Sequence, residues 1–104
     1  MNQKGFFLIR PLDNKAILKL KGDFDGNNIH LIRNAMLLKK VLSHNYLELD
    51  MSRVETINMQ AMALLSINLK RLRDSGTKTR VTGLDKTKCN LAKELGMQFI
   101  TQIN

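Results

Sequence analysis

The chain of 104 residues holds one cysteine, one proline, one tyrosine and no tryptophan. A single thiol, Cys89, excludes an internal disulfide and any metal site built on several cysteines. It fits a reduced setting, and the cytoplasm is the expected compartment. Aromatic residues make up 5% of the chain, and no base-stacking motif of the kind that grips single-stranded nucleic acid is visible. No apolar run approaches the roughly 18 residues that a membrane-spanning helix needs. The opening stretch MNQKGFFLIRPLDNK holds a short apolar patch and no small-residue cleavage site, so it does not read as a secretory leader. Gly-rich phosphate loops, low-complexity tracts, linkers and internal repeats are all missing.

Residues for catalysis are scarce as well. His30 and His44 stand 14 positions apart, which is not the spacing of a metal pair on one helix face. Cys89 has Lys86, Lys88 and Lys93 near it, which would favour a thiolate. No histidine is placed beside it by sequence, and a buried helical cysteine is the plainer reading. Glu48 and Asp50 alternate along one segment and share a face, but they form no recognisable acid–base pair. The expectation is a protein without catalytic residues, metal or cofactor.

What is present is an ordinary globular composition, 43% hydrophobic and 25% charged. The length fits one domain spanning residues 1–104 with a single core. Seventeen Lys and Arg against nine Asp and Glu give a formal charge of +8. That excess suits an acidic protein partner, nucleic acid or an anionic lipid surface, or simply a solvated basic exterior.

Taken in order, Phe6–Ile9 reads as a strand broken by Pro11 and a turn at Asp13–Asn14. Lys15–Lys21 resumes it, completing a hairpin, with alternation over Ile17–Lys21. Gly22–Asn28 is the richest turn signal, and Asn27 or Asn28 is placed to cap a helix after it. Ile29, Ile32, Met36 and Val41 recur near helical spacing, predicting about four turns ended by Ser43–Asn45. Tyr46–Asp50 reads as a buried strand, Ser52–Arg53 as a turn, and Asn58 as the N-cap of a helix running to about Asp74. Ser75–Gly76 stops that helix. Lys78–Leu84 returns to the sheet, and Asp85 caps a helix over Lys86–Leu95 ended by Gly96. Met97–Ile103 reads as a short terminal strand or tail, with Phe99 and Ile103 as core contacts. The order β-β-α-β-α-β-α-β suggests an α/β fold with a mixed sheet of about five strands and helices mainly on one face.

The run Asp50-Met51-Ser52-Arg53-Val54-Glu55-Thr56-Ile57, followed by Asn58-Met59-Gln60-Ala61 and then Ala63-Leu64-Leu65, resembles the STAS domain (sulfate transporter and anti-sigma-factor antagonist). Gly22-Asp23-Phe24-Asp25 is similar to the family's Gly-Glu-Leu-Asp before its first helix. Val81-Thr82-Gly83-Leu84, with Leu91 and Leu95-Gly96, resembles its last core strand and last helix. The resemblance implies the STAS fold and a non-catalytic, protein-binding role in bacterial transcription regulation. In the family an Asp-Ser-Ser-Gly-like tetrad opens the second helix, and its first serine is the substrate of an anti-sigma-factor kinase. Here that position is Met59, followed by Gln60, and neither can be phosphorylated. Asn58 keeps the capping ability of the family's aspartate without its charge, and Ala61 stands for the glycine.

The implied partner-binding surface is Asn58, Met59, Gln60 and Met62, with Asp23 and Asp25 in the neighbouring loop. The residues alone leave two roles open for Met59, a soft contact at an interface or a shield over a helix end. The acidic pair likewise either docks a partner or serves the turn. The leading expectation is an anti-sigma-factor antagonist-like module without a phosphorylation brake. An alternative is the small STAS subunit that docks on the ATPase of bacterial lipid-transport ABC systems, which Ser52-Arg53-Val54 and Leu91-Ala92-Lys93 resemble. A basic nucleic-acid-binding domain is the alternative of another class. A nucleotide at the second helix N-terminus, as in some STAS domains, is a further idea with little behind it here.

Overall fold

The computed structural model describes residues 5–12, 15–25, 27–28, 30–36 and 45–97. Strands β1 (Phe6–Pro11), β2 (Ala16–Phe24), β3 (Tyr46–Ile57) and β4 (Lys78–Thr82) form one sheet in the order β1-β2-β3-β4. Helix α1 (His30–Met36) lies between β2 and β3, α2 (Met59–Asp74) between β3 and β4, and α3 (Lys86–Glu94) after β4. β1 runs antiparallel to β2, while β2, β3 and β4 are parallel. Both parallel returns step in the same direction across the sheet. Returns of the usual hand then bring their helices to the same face.

Burial follows from that one-sided arrangement. Along β2, Ala16, Leu18, Leu20 and Phe24 are fully buried, while Ile17, Lys19 and Lys21 between them are only half-buried. Leu47 and Leu49 of β3 are in register with Ala16 and Leu18, and Val81 of β4 with Leu49. These side chains meet Ala61, Met62, Leu65, Leu69 and Leu72 of α2, Ile32 of α1, and Cys89 and Ala92 of α3 in one cluster. The opposite face carries Ile17, Lys19, Lys21, Tyr46, Glu48, Asp50 and Arg80, none of them fully buried.

The sheet has four strands among the described residues, against the five or so expected. The segment expected to supply the last one, including Phe99 and Ile103, lies outside the described residues from 98 onward. So do the Asp13–Asn14 turn, Ile29, His44 and the second half of the expected first helix, residues 37–44.

Two segments differ from the sequence reading for a shared reason. Ser52–Arg53 is not a turn between strand and helix, because β3 continues to Ile57. Gly22–Phe24 likewise belongs to β2 and not to the turn after it. The β2–β3 register shifts between Lys19 and Lys21, opposite Asp50 and Arg53, and again between Gly22 and Asp23, opposite Val54 and Thr56. Each shift inserts one extra residue into β3, as a β-bulge does. The Asp50 carboxylate accepts from the Ser52 amide at 2.9 Å and the Ser52 hydroxyl at 2.7 Å. That local bonding is turn chemistry used inside a strand. With both bulges included, Leu47, Leu49, Met51 and Val54 stay buried.

Candidate functional site

The ends of β2 and β3 and the start of α2 meet at one corner. Phe24 and Ile57 are register partners, and the Asn58 amide donates to the Phe24 carbonyl at 3.1 Å. Asn58 then turns the chain into α2, its Oδ1 accepting from the Ala61 amide at 2.9 Å. This is the cap expected from sequence, and it satisfies one of the helix's free N–H groups. No acidic residue stands in the first turn of α2. The positive end of the helix dipole is therefore uncompensated within the helix itself.

The acidic loop is tied to this corner. The Thr56 hydroxyl donates to Asp23 Oδ1 at 2.6 Å, linking the end of β3 to the end of β2. Asp25 Oδ1 accepts from the Asn27 amide at 2.8 Å in an Asx-type turn. Asn28 does more than lead into α1. Its Nδ2 donates to the Asp23 carbonyl at 2.7 Å and its Oδ1 accepts from the Asp25 amide at 2.9 Å. Gly5 packs against the same loop, and a Cβ there would collide with the Asp23 carbonyl oxygen. Asn28 acts within the turn signal that the sequence shows, its partners three and five residues back, whereas the place of Gly5 depends on a contact across the fold and carries no local signal.

Of the residues expected at a partner surface, Asn58, Met59, Gln60 and Asp25 are exposed, and Asp23 is half-buried. Met59 is 57% exposed, more than any other large hydrophobic residue described. Met62 does not belong with them, since it is fully buried in the core. The two stand three positions apart on neighbouring sides of α2, but Met59 opens the helix while Met62, deeper along it, packs into the core cluster.

The remaining candidates stay apart. His30 is exposed on α1, and Cys89 is buried on α3 with its thiol 3.6 Å from the Leu84 carbonyl oxygen. Glu48 and Asp50 lie on the outer sheet face, where Glu48 is 3.9 Å from the Lys15 ammonium. Burial pushes the Asp50 carboxyl up, but the two Ser52 hydrogen bonds and the charges of Lys19 and Arg53 outweigh it and hold its pKa below the ordinary value. Asp50 is therefore an ionised structural acceptor at neutral pH, not a poised proton donor.

With the architecture established, comparison with known proteins places it. The sequence matches the STAS domain family over residues 8–103, and the chain belongs to that family. Solved structures with the same fold include an anti-sigma factor antagonist from Mycobacterium paratuberculosis. It is 15% identical with a TM-score of 0.75, covering 96% of this chain and 85% of that one. The anti-sigma factor antagonist SpoIIAA in its unphosphorylated form is 14% identical with a TM-score of 0.72, covering 94% of this chain and 87% of that one. The phosphorylated form of the Bacillus cell-fate determinant SpoIIAA is 13% identical with a TM-score of 0.68, covering 94% and 90%. Among curated proteins none matches the sequence. No helix among the described residues is long and apolar enough to cross a membrane.

Proposed function

We propose that this protein is a non-catalytic interaction module of the anti-sigma-factor-antagonist type, acting in the cytoplasm as a single STAS domain. It docks a regulatory protein, such as an anti-sigma-factor kinase, through Asn58, Met59, Gln60 and the end of β2 and turn after it, which bear Asp23 and Asp25. Met59 occupies the position of the family's phosphorylatable serine, so the interaction has no phosphate brake at that place. The observation that carries the reading is the exposed Met59 at the first position of α2, beside an acidic loop held to it by the Asn58–Phe24 hydrogen bond. A thioether there is soft and polarizable enough to conform to a partner. A phosphate in its place would add about −1.5 to −2 charges at the helix end and change what could dock.

The test is affinity capture from the native cell with the wild-type chain and Met59→Asp. Recovery of an anti-sigma-factor-type kinase by the wild type, lost in the variant, is the expected result. Capture that persists unchanged in Met59→Asp places the contact elsewhere. Recovery of an ABC-transporter ATPase replaces the antagonist reading with the transport one. Met59→Ser adds a second readout. Incubation with the captured kinase and ATP should phosphorylate that variant on its introduced hydroxyl and leave the wild type unlabelled.

A further inference from the structure

The β1–β2 hairpin turns one side of each strand to the core and the other side away from the helices. Phe7 and Ile9 of β1 pack against the core cluster, and Ala16, Leu18 and Leu20 of β2 belong to it. The residues between them face outward, and the antiparallel register sets Leu8 beside Lys19 and Arg10 beside Ile17. Just past the paired strands the Leu12 amide donates to the Lys15 carbonyl at 2.8 Å, which brings Leu12 opposite Lys15. Each of these three cross-strand pairs joins one aliphatic side chain to one cation. Leu8 is 49% exposed and Leu12 37%, so two of the four exposed large hydrophobics among the described residues lie on this hairpin. Arg10 is exposed between them.

The carboxylates lie to either side of this patch. Strands β1 and β2 carry none before Asp23, which stands by the docking corner at the far end of β2. Asp13, in the connecting segment, lies outside the described residues. Toward β3 the patch is bounded by Glu48, in register with Ile17, and Asp50, in register with Lys19. Asp50 already accepts two hydrogen bonds from Ser52. Glu48 is 3.9 Å from the Lys15 ammonium, and a surface pair of that kind contributes little. Arg10 makes no ion pair among the described residues. On its other side β1 is the edge of the sheet.

From this interleaving of cations and aliphatic side chains we propose that the outer face of the hairpin binds an anionic bilayer surface. The proposal does not rest on the docking reading, which concerns the opposite end of β2. Charge complementarity selects the occupant. A second copy of the chain would set cation against cation. Nucleic acid would attract the cations, but none of the six outward residues is an aromatic ring on which a base could stack, and the exposed leucines would go unused. A layer of anionic headgroups takes both members of every pair. It attracts the lysine and arginine charges, while the leucines reach the acyl boundary beneath it. Long Lys and Arg stems suit that arrangement, because they lie along apolar surface and keep the charge among the headgroups.

The test is sedimentation of the full chain with vesicles of equimolar phosphatidylglycerol and phosphatidylcholine, with pure phosphatidylcholine vesicles as the blank, over a range of sodium chloride concentrations. Binding to the anionic vesicles that weakens as salt rises, and none to the blank, is expected. Arg10→Gln and Lys19→Gln should each weaken it about fivefold, the effect of one cation near such a surface. Leu8→Asn should weaken it too, by a factor that salt does not change, because an apolar contact is not screened. Lys70→Gln and Lys86→Gln, which remove the same charge from exposed positions on α2 and α3, should leave it nearly unchanged. Absence of binding to the anionic vesicles, equal weakening by Lys70→Gln, indifference to Leu8→Asn, or tighter retention on duplex DNA than on the vesicles each overturns the proposal.

Discussion

Gly83 shows how one residue can be required by geometry that its neighbours in sequence do not reveal. Its φ of +79° already disfavours a side chain, and a Cβ there would lie 2.5 Å from the Ser52 backbone nitrogen. Gly96 has a similar φ of +75°, but an added Cβ would meet nothing within 4 Å. Gly96→Ala should lose only the left-handed penalty of about 1–2 kcal/mol. Gly83→Ala should lose distinctly more, because the β3 bulge must also shift, and thermal unfolding of the pair measures the difference. Asp50, bonded to Ser52 at that bulge, makes a pH prediction. Its folded pKa lies below its ordinary value, despite partial burial, because of the Ser52 hydrogen bonds and the nearby Lys19 and Arg53. The stability it contributes is thus present above the unfolded value of about 3.9 and is lost as pH falls through the lower folded value. Asp50→Asn removes this linkage, so denaturant midpoints measured from pH 6 down to pH 2 should fall less steeply than in the wild type.

At the scale of elements, α2 illustrates what local pattern reveals well. Asn58 as cap, Met59–Asp74 as helix and Gly76 as stop all agree with the sequence reading, because capping and periodicity are local. The same helix shows where pattern fails. Met59 and Met62 are alike in composition and close in sequence, yet one is exposed and the other buried. What separates them is depth along α2, with Met59 at its open first position and Met62 packed into the core cluster. Met59→Asp gains about 0.3–1 kcal/mol from a negative charge at the helix N-terminus. That gain offsets the poorer helix propensity of aspartate. The melting temperature should therefore stay close to the wild type even if capture of a partner is lost. A variant that fails to capture and also melts much earlier would point to a damaged fold and not to a lost contact.

For the whole molecule, the division between the two sheet faces governs tolerance to change. Leu18 points into the cluster beneath the helices, and its neighbour Ile17 points to the outer face. Leu18→Ala should cost about 2–5 kcal/mol, the range for a buried leucine whose site cannot fully collapse. Ile17→Ala should cost well under that, and urea denaturation of both variants distinguishes the faces. A comparable loss at both positions would mean that something covers the outer face in solution. The same one-sidedness leaves the face of β3 and β4 that carries Glu48, Asp50 and Arg80 without complete burial.

Sequence by itself determined the cap and stop of α2 and the cap of α3, because each rests on contacts within a few residues, and its alternation of strand and helix patterns pointed to the α/β class. It also brought Asp23 and Asp25 into view beside Asn58 and Met59, through their resemblance to STAS motifs. Tertiary structure alone decided that Ser52–Arg53 and Gly22–Phe24 lie within strands, since a bulge is defined by the strand opposite and turn residues serve both purposes. It alone packed Met62 into the core, set Gly5 against the end of β2, and tied Thr56 to Asp23. Those groupings join residues far apart in the chain, and neither periodicity nor local hydrogen bonding encodes which distant strands will become neighbours.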